Sequence, residues 1–109
     1  MRQTYRDLLP QRRECSTFTM RYGGQNTEFT ITTGHYEDGE IGEVFVNGAK
    51  AGSEMESVTR DAAVLLSLAI QHGVPIKTIK HAITRDRDGQ ATTIIGAVID
   101  KITEGAGNE

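Results

Sequence analysis

The sequence predicts an α+β fold: a small antiparallel three-stranded sheet followed by three helices packed on one face. Three observations carry that expectation. Apolar residues alternate with polar ones on either side of a Gly-Gly-Gln-Asn turn near the start, the period of two that marks a half-buried strand. From Met55 to Ile70 the apolar spacing changes to that of a helix, bracketed by sharp start and stop signals. All the strand-like segments precede all the helix-like ones, an order that layers helices against an antiparallel sheet.

The elements follow in order. Phe18, Met20 and Tyr22 alternate with Thr17, Thr19 and Arg21 on a first strand. Gly23-Gly24-Gln25-Asn26 supplies residues that tolerate positive φ. Phe29, Ile31 and Thr33 then alternate with Glu28, Thr30 and Thr32 on the returning strand. Glu37-Asp38-Gly39 marks a second turn, and Ile41 to Asn47 completes a meander. Ser53 and Glu56 have the S-x-x-E spacing of a capping box, in which each side chain satisfies the other residue's backbone donor. Met55, Val58, Ala62, Leu65, Leu66, Ala69 and Ile70 are expected on one buried face. Gly73 and Pro75 close the helix, as a left-handed terminator and a block to continuation. Pro75 also suits the first turn of a second helix carrying Ile76, Ile79, Ala82 and Ile83. The run Thr84-Arg85-Asp86-Arg87-Asp88-Gly89 reads as a solvated loop. A third helix carries Ile94, Ile95, Val98, Ile99 and Ile102.

A chain of 109 residues is one domain's worth. Residues 1–13 are expected to form a basic N-terminal arm, 14–104 a single domain, and 105–109 a flexible tail. The apolar fraction of 37%, with three Tyr, three Phe and no Trp, is low but periodic, which separates the chain from disordered sequences. No apolar run is long enough to span a bilayer, and no apolar core of a signal peptide follows the first arginines. The single cysteine, Cys15, excludes an internal disulfide and a Cys-based zinc knuckle within one chain. A cytoplasmic protein without cofactor is the resulting expectation.

The net charge of −3 conceals an asymmetry. Arg2, Arg6, Arg12 and Arg13 face only Asp7 in the arm. Glu37, Asp38, Glu40, Glu43, Glu54, Glu56 and Asp61 face only Lys50 and Arg60 in the region that follows. The arm therefore has an acidic surface to pair with, on its own subunit or on a twin. Four arginines without interleaved aromatics make a weak footprint for nucleic acid.

The strand ending Gly42-Glu43-Val44-Phe45-Val46-Asn47, the loop Lys50-Ala51-Gly52-Ser53 and the helix closing with Gln71-His72-Gly73-Val74-Pro75 resemble a TSCPD domain. This small module occurs near the C-terminal end of adenosylcobalamin-dependent ribonucleotide reductases and in short free-standing proteins. The resemblance covers roughly residues 27–102 and rests on 36–75. It implies a link to nucleotide metabolism and a reductase as a possible partner, but it supplies no catalytic residue. The Thr-Ser-Cys-Pro-Asp string that names the family is absent. Reduction through a thiyl radical needs one cysteine for the radical and a pair to deliver electrons, so a chain holding Cys15 alone is not expected to be a reductase by itself.

Candidate site residues follow from the chemistry of single positions. Glu43 and Asp61 are the carboxylates nearest the strand-to-helix junction. Glu43 shares a strand face with Ile41 and Phe45, so it is either a partly buried general base or one half of a salt bridge to Arg60 or Lys50. His72 sits where the dipole of a helix C-terminus favours a cation, or presents itself to a pocket. Lys50, Gly52 and Ser53 form a Gly-containing loop that opens on a helix N-terminus, a place where phosphate binds. The order is not that of a Walker loop, Ser53 is used as a cap, and Glu54 and Glu56 repel anions. Arg12 and Arg13 are candidate contacts to phosphate or to a partner, and the Cys15 thiol beside them is either activated or an inert small hydrophobe. His35, His72 and His81 lack metal-ligand spacing, so no metal is expected.

No nucleophile, base and oxyanion donor converge in this sequence. The expected function is therefore a non-catalytic accessory or binding module linked to nucleotide metabolism. The alternative is a small-molecule or nucleotide-binding sensor or enzyme built on the Lys50 loop. A sheet covered on one face leaves Thr17, Thr19, Thr30 and Thr32 and its edges bare, and the expected response is a two-fold homodimer.

Overall fold

Gly23 and Asn26, at φ +91° and +54°, turn the chain between strands β1 (Cys15–Tyr22) and β2 (Thr27–His35) in a computed structural model that describes residues 5–104. Only residues tolerant of positive φ make such a turn without strain. Phe18 pairs across it with Ile31, and Met20 with Phe29, so the apolar alternation sets the register. A second turn at Gly39 (φ +91°) leads into β3 (Ile41–Asn47). The sheet is antiparallel with order β1-β2-β3. A slip in register between Gly34 and His35 turns Ile41 toward the core, against which it packs.

Helix α1 (Glu54–Gln71) begins at Ser53, whose Oγ accepts the Glu56 N–H at 3.1 Å. The box is not reciprocal. The Glu56 carboxylate takes the Gly52 N–H at 2.7 Å, and the Ser53 N–H goes to the Lys50 carbonyl. At the far end Gly73 (φ +93°) and Val74 donate to Ile70 and Ala69, the two bonds of a Schellman terminus. Pro75 is the N-cap of α2 (Ile76–Ala82), and Thr93 caps α3 (Ile94–Ile102) through its Oγ1 and the Gly96 N–H. A Cβ at Gly96 would lie 2.9 Å from Ile83 Cδ1, so the α3 backbone approaches the end of α2 closely there.

The core lies between the helices and one sheet face: Phe29, Ile31, Val44 and Val46 below, Ala63, Leu66, Ile94, Val98 and Ile99 above. Ile31, Val44, Val98 and Ile99 are essentially sealed from water, and each such side chain contributes about 1.5–3 kcal/mol on burial.

The sequence expectation is corrected in the roll of α1. Met55, Val58 and Leu65, assigned to its buried face, are 58%, 56% and 67% exposed. The inward stripe is instead Thr59, Ala63 and Leu66, continuing to Gln71. The cause is polar. Gln71 Nε2 donates to the Gly42 carbonyl at 2.7 Å, and Ser67 Oγ accepts the Val44 N–H at 2.9 Å. Both groups belong to the outer edge of β3, so the helix rolls to place residues 63, 67 and 71 on that edge. A count of apolar spacing does not see a stripe of Ala, Ser and Gln.

The run 84–89 also differs from a simple solvated loop. Arg85 is half-buried and reaches Asp100 with both terminal nitrogens, at 2.7 and 2.8 Å. It also donates to the carbonyls of Lys80 and Gly89, tying α2, the turn and α3 together. The first four residues of the expected arm and the expected tail at 105–109 lie outside the described residues.

Candidate functional site

The candidate residues fall in three separate places. Lys50, Gly52 and Ser53 stand at the start of α1, with Gly52 at φ +80°. Arg12, Arg13 and Glu43 lie where the N-terminal segment meets the sheet. Asp61 is exposed on the outside of α1, and His72 is its half-buried C-cap.

Glu43 occupies the sheet face that the helices do not cover, as do Phe45 and, across β2, Gly34. It is nevertheless only 8% exposed. The missing side chain at Gly34 makes the room: a Cβ there would lie 2.1 Å from Glu43 Oε2. Arg13 closes the site, with Nε 2.6 Å from Oε2 and Nη2 3.3 Å from Oε1. The partner of Glu43 is therefore Arg13 and not Arg60 or Lys50; Arg60 instead approaches Glu56 at 3.9 Å. The hydrogen bond to Glu43 raises the Arg13 pKa further above its already high value. With both oxygens engaged by a guanidinium, the carboxylate is placed as an anchor and not as a base.

That anchor is one of several fixing the segment before β1 to its own chain. The Asp7 N–H bonds the Gln71 carbonyl at 2.9 Å, Arg6 bonds the Gln71 side chain, and the Tyr36 hydroxyl donates to the Asp7 carbonyl at 2.5 Å. Burial raises the Tyr36 pKa, with Asp7 adding to the effect. Arg12 lines an open polar cleft of about 750 Å³ with Arg13, His35 and Tyr36. His35 is engaged within its own turn. Its Nδ1 lies 3.0 Å from the Gly39 carbonyl, which can only accept, so Nε2 accepts from the Thr33 hydroxyl at 2.9 Å. Cys15 is exposed near this segment. Among the described residues no group of three His, Cys, Asp or Glu side chains comes together to hold a metal ion.

The Lys50 loop borders a different space. A cavity of about 790 Å³ opens between the 23–25 turn, the 48–53 loop, the first turns of α1 and the start of α3. Its walls include Tyr22, Phe29, Met55, Val58, Ile94 and Ile95, and Lys50 and Ser53 stand on its rim. Tyr22 donates its hydroxyl to the Ala91 carbonyl at 2.9 Å, and burial raises its pKa, reinforced by Asp86. Thr59 also lines the space; it is 3% exposed, and its Oγ1 has no hydrogen-bond partner among the described residues. Sequence reasoning missed Thr59 and the α3 contribution. The available signal was a β-branched polar residue in the middle of an otherwise apolar helical stretch; the approach of α3 to the 23–25 turn leaves no local mark.

Among the described residues no helix is long and apolar enough to cross a membrane. The chain matches the TSCPD domain family over residues 3–104. It is 33% identical over 91 residues to a vitamin B12-dependent ribonucleotide reductase of Bradyrhizobium diazoefficiens, an alignment covering 84% of this chain and 7% of that protein. The corresponding reductase of Agrobacterium fabrum is 34% identical over 72% of this chain and 6% of its own length. That of Rhodopirellula baltica is 33% identical over 75% of this chain and 8% of its own. The chain thus spans less than a tenth of the length of these relatives. No solved structure matches it. The described fold is that of one small α+β unit, and with the family matched from residue 3 to 104 the chain belongs to the TSCPD domain family.

Proposed function

We propose that this protein is a non-catalytic accessory module that acts in the cytoplasm with a nucleotide-reducing enzyme, docking through the outward face of α1. The observation that carries this reading is the stripe of Met55, Val58 and Leu65, each more than half exposed on the longest helix. In the relatives the matching segment is a small part of a much longer reductase chain, where such a face has the rest of the protein to pack against. An apolar helical face left bare in a small domain marks an interaction surface. The dispersal of Glu43, His72 and Lys50, together with the engagement of Glu43 by Arg13, supports binding over chemistry.

The test is affinity capture from the native host with mass spectrometry. The wild-type protein should retain a cobalamin-dependent ribonucleotide reductase, and Leu65→Glu, a change at an exposed position, should release it. Absence of the reductase, or equal recovery with both baits, overturns the reading.

A further inference from the structure

We propose that the cavity between the Lys50 loop and the start of α3 is a binding site for a small molecule with a flat apolar body and one anionic group. Its volume of about 790 Å³ lies within the range of small-molecule sites, and its walls are mainly apolar, with few polar groups to orient a ligand. Tyr22 and Phe29 contribute aromatic surface, and Met55, Val58, Ile94 and Ile95 aliphatic surface.

The polar groups specify the sign of the ligand's charge. Lys50 is the one charged residue among those lining the cavity, in a chain whose net charge is −3. The starts of two helices, α1 at Ser53 and α3 at Thr93, border the same space, and both present the positive end of a helix dipole. The two acids feared as repulsive do not line it. Glu56 is turned to the Gly52 N–H and toward Arg60.

Thr59 adds a β-branched side chain to the same wall. A hydroxyl inside a helix commonly donates to the carbonyl four residues earlier. Ser67 does so to Ala63, and Thr103 to Ile99, each at 2.8 Å. Thr59, a residue of the same wall, forgoes that bond and leaves its Oγ1 buried beneath the surface and unpaired. Such a group costs stability in the free protein. Met55 and Val58 belong both to the cavity wall and to the proposed docking stripe, and Leu65, which lies outside the cavity, is the position that separates the two readings.

The experiment is fluorescence titration of the whole protein with 8-anilinonaphthalene-1-sulfonate and with its uncharged analogue N-phenyl-1-naphthylamine. Saturable binding of the sulfonate at a single site is expected. Lys50→Ala should weaken the sulfonate about tenfold, the loss of one charge-assisted contact, and leave the uncharged probe unchanged. Val58→Asp, at a half-exposed position on the cavity wall, should abolish sulfonate binding. Leu65→Asp, on the same helix but outside the cavity, should not affect it. Unsaturable binding, indifference to Lys50→Ala and Val58→Asp, or loss on Leu65→Asp overturns the site.

Discussion

Ser67 on α1 holds the outward backbone N–H of Val44. Its Oγ accepts the N–H at 2.9 Å and lies 3.3 Å from the carbonyl oxygen. A helix thereby does for the outer edge of β3 what a fourth strand would do, and the edge is no longer available for pairing. Gln71, one turn further on, donates its Nε2 to the Gly42 carbonyl.

Ser67→Ala should cost about 1–2 kcal/mol, because Val44 is 1% exposed and its N–H would be left buried without an acceptor. Denaturant unfolding measures it. A loss within the ~0.5 kcal/mol of an ordinary surface substitution would show that water replaces the serine and that the edge is open.

Arg13 and Glu43 should behave as a coupled pair. Arg13→Ala strands a carboxylate that is 8% exposed, whereas neutralising both partners strands nothing. The double variant Arg13→Ala with Glu43→Gln should therefore be more stable than Arg13→Ala alone. Simple additivity of the two losses would show no interaction. Gly34→Ala should reproduce the effect of the arginine loss, since its methyl would occupy the place of the carboxylate.

The contrast between these two contacts shows what the sequence makes legible. Strand and helix bounds followed from local alternation, caps and glycines, and the described elements fall where those signals place them. The roll of α1 was not legible, because it is set by two polar side chains reaching a strand edge more than twenty residues away. The partner of Glu43 was missed for a similar reason. Arg13 is thirty residues distant, while Arg60 and Lys50 are nearer in sequence. The Lys50 loop could be read as a candidate site, but its cavity could not, since α3 supplies one of its walls.

Asp100 should make stability depend on acid. The hydrogen bonds from Arg85 hold its carboxyl below the ordinary aspartate value against the opposing effect of burial. The folded protein then binds fewer protons at this group than the unfolded chain, so the contribution is present above the ordinary value, about 3.9, and is lost as pH falls through the lowered one. The side chains are 27% and 34% exposed, so solvent screens the pair and Asp100→Asn should cost about 1 kcal/mol at neutral pH rather than several. Urea melts of both proteins across pH should show the gap closing below about pH 4. A gap constant with pH would mean that the asparagine disturbs packing and that the charge is idle.

Self-association, if the protein dimerises as its sheet invites, should run through β1. With β3 closed by α1, β1 is the remaining outer strand of the sheet. The His35 N–H donates to the Glu14 carbonyl, and alternation along an antiparallel ladder then turns the amides of Thr17 and Thr19 away from β2. Eight residues of such an edge are a template for a second copy across a two-fold axis. The arm has no charge to spare for crossing at Arg13, which is held by Glu43 of its own chain. The dimer should accordingly withstand added salt. Light scattering coupled to size exclusion at tens of micromolar should report twice the 11.9 kDa chain mass. Thr19→Pro, which removes an outward donor and leaves the β1–β2 ladder intact, should return the monomer with an unchanged circular dichroism spectrum. A wild-type mass of one chain, or a dimer that survives Thr19→Pro, would exclude pairing through this edge.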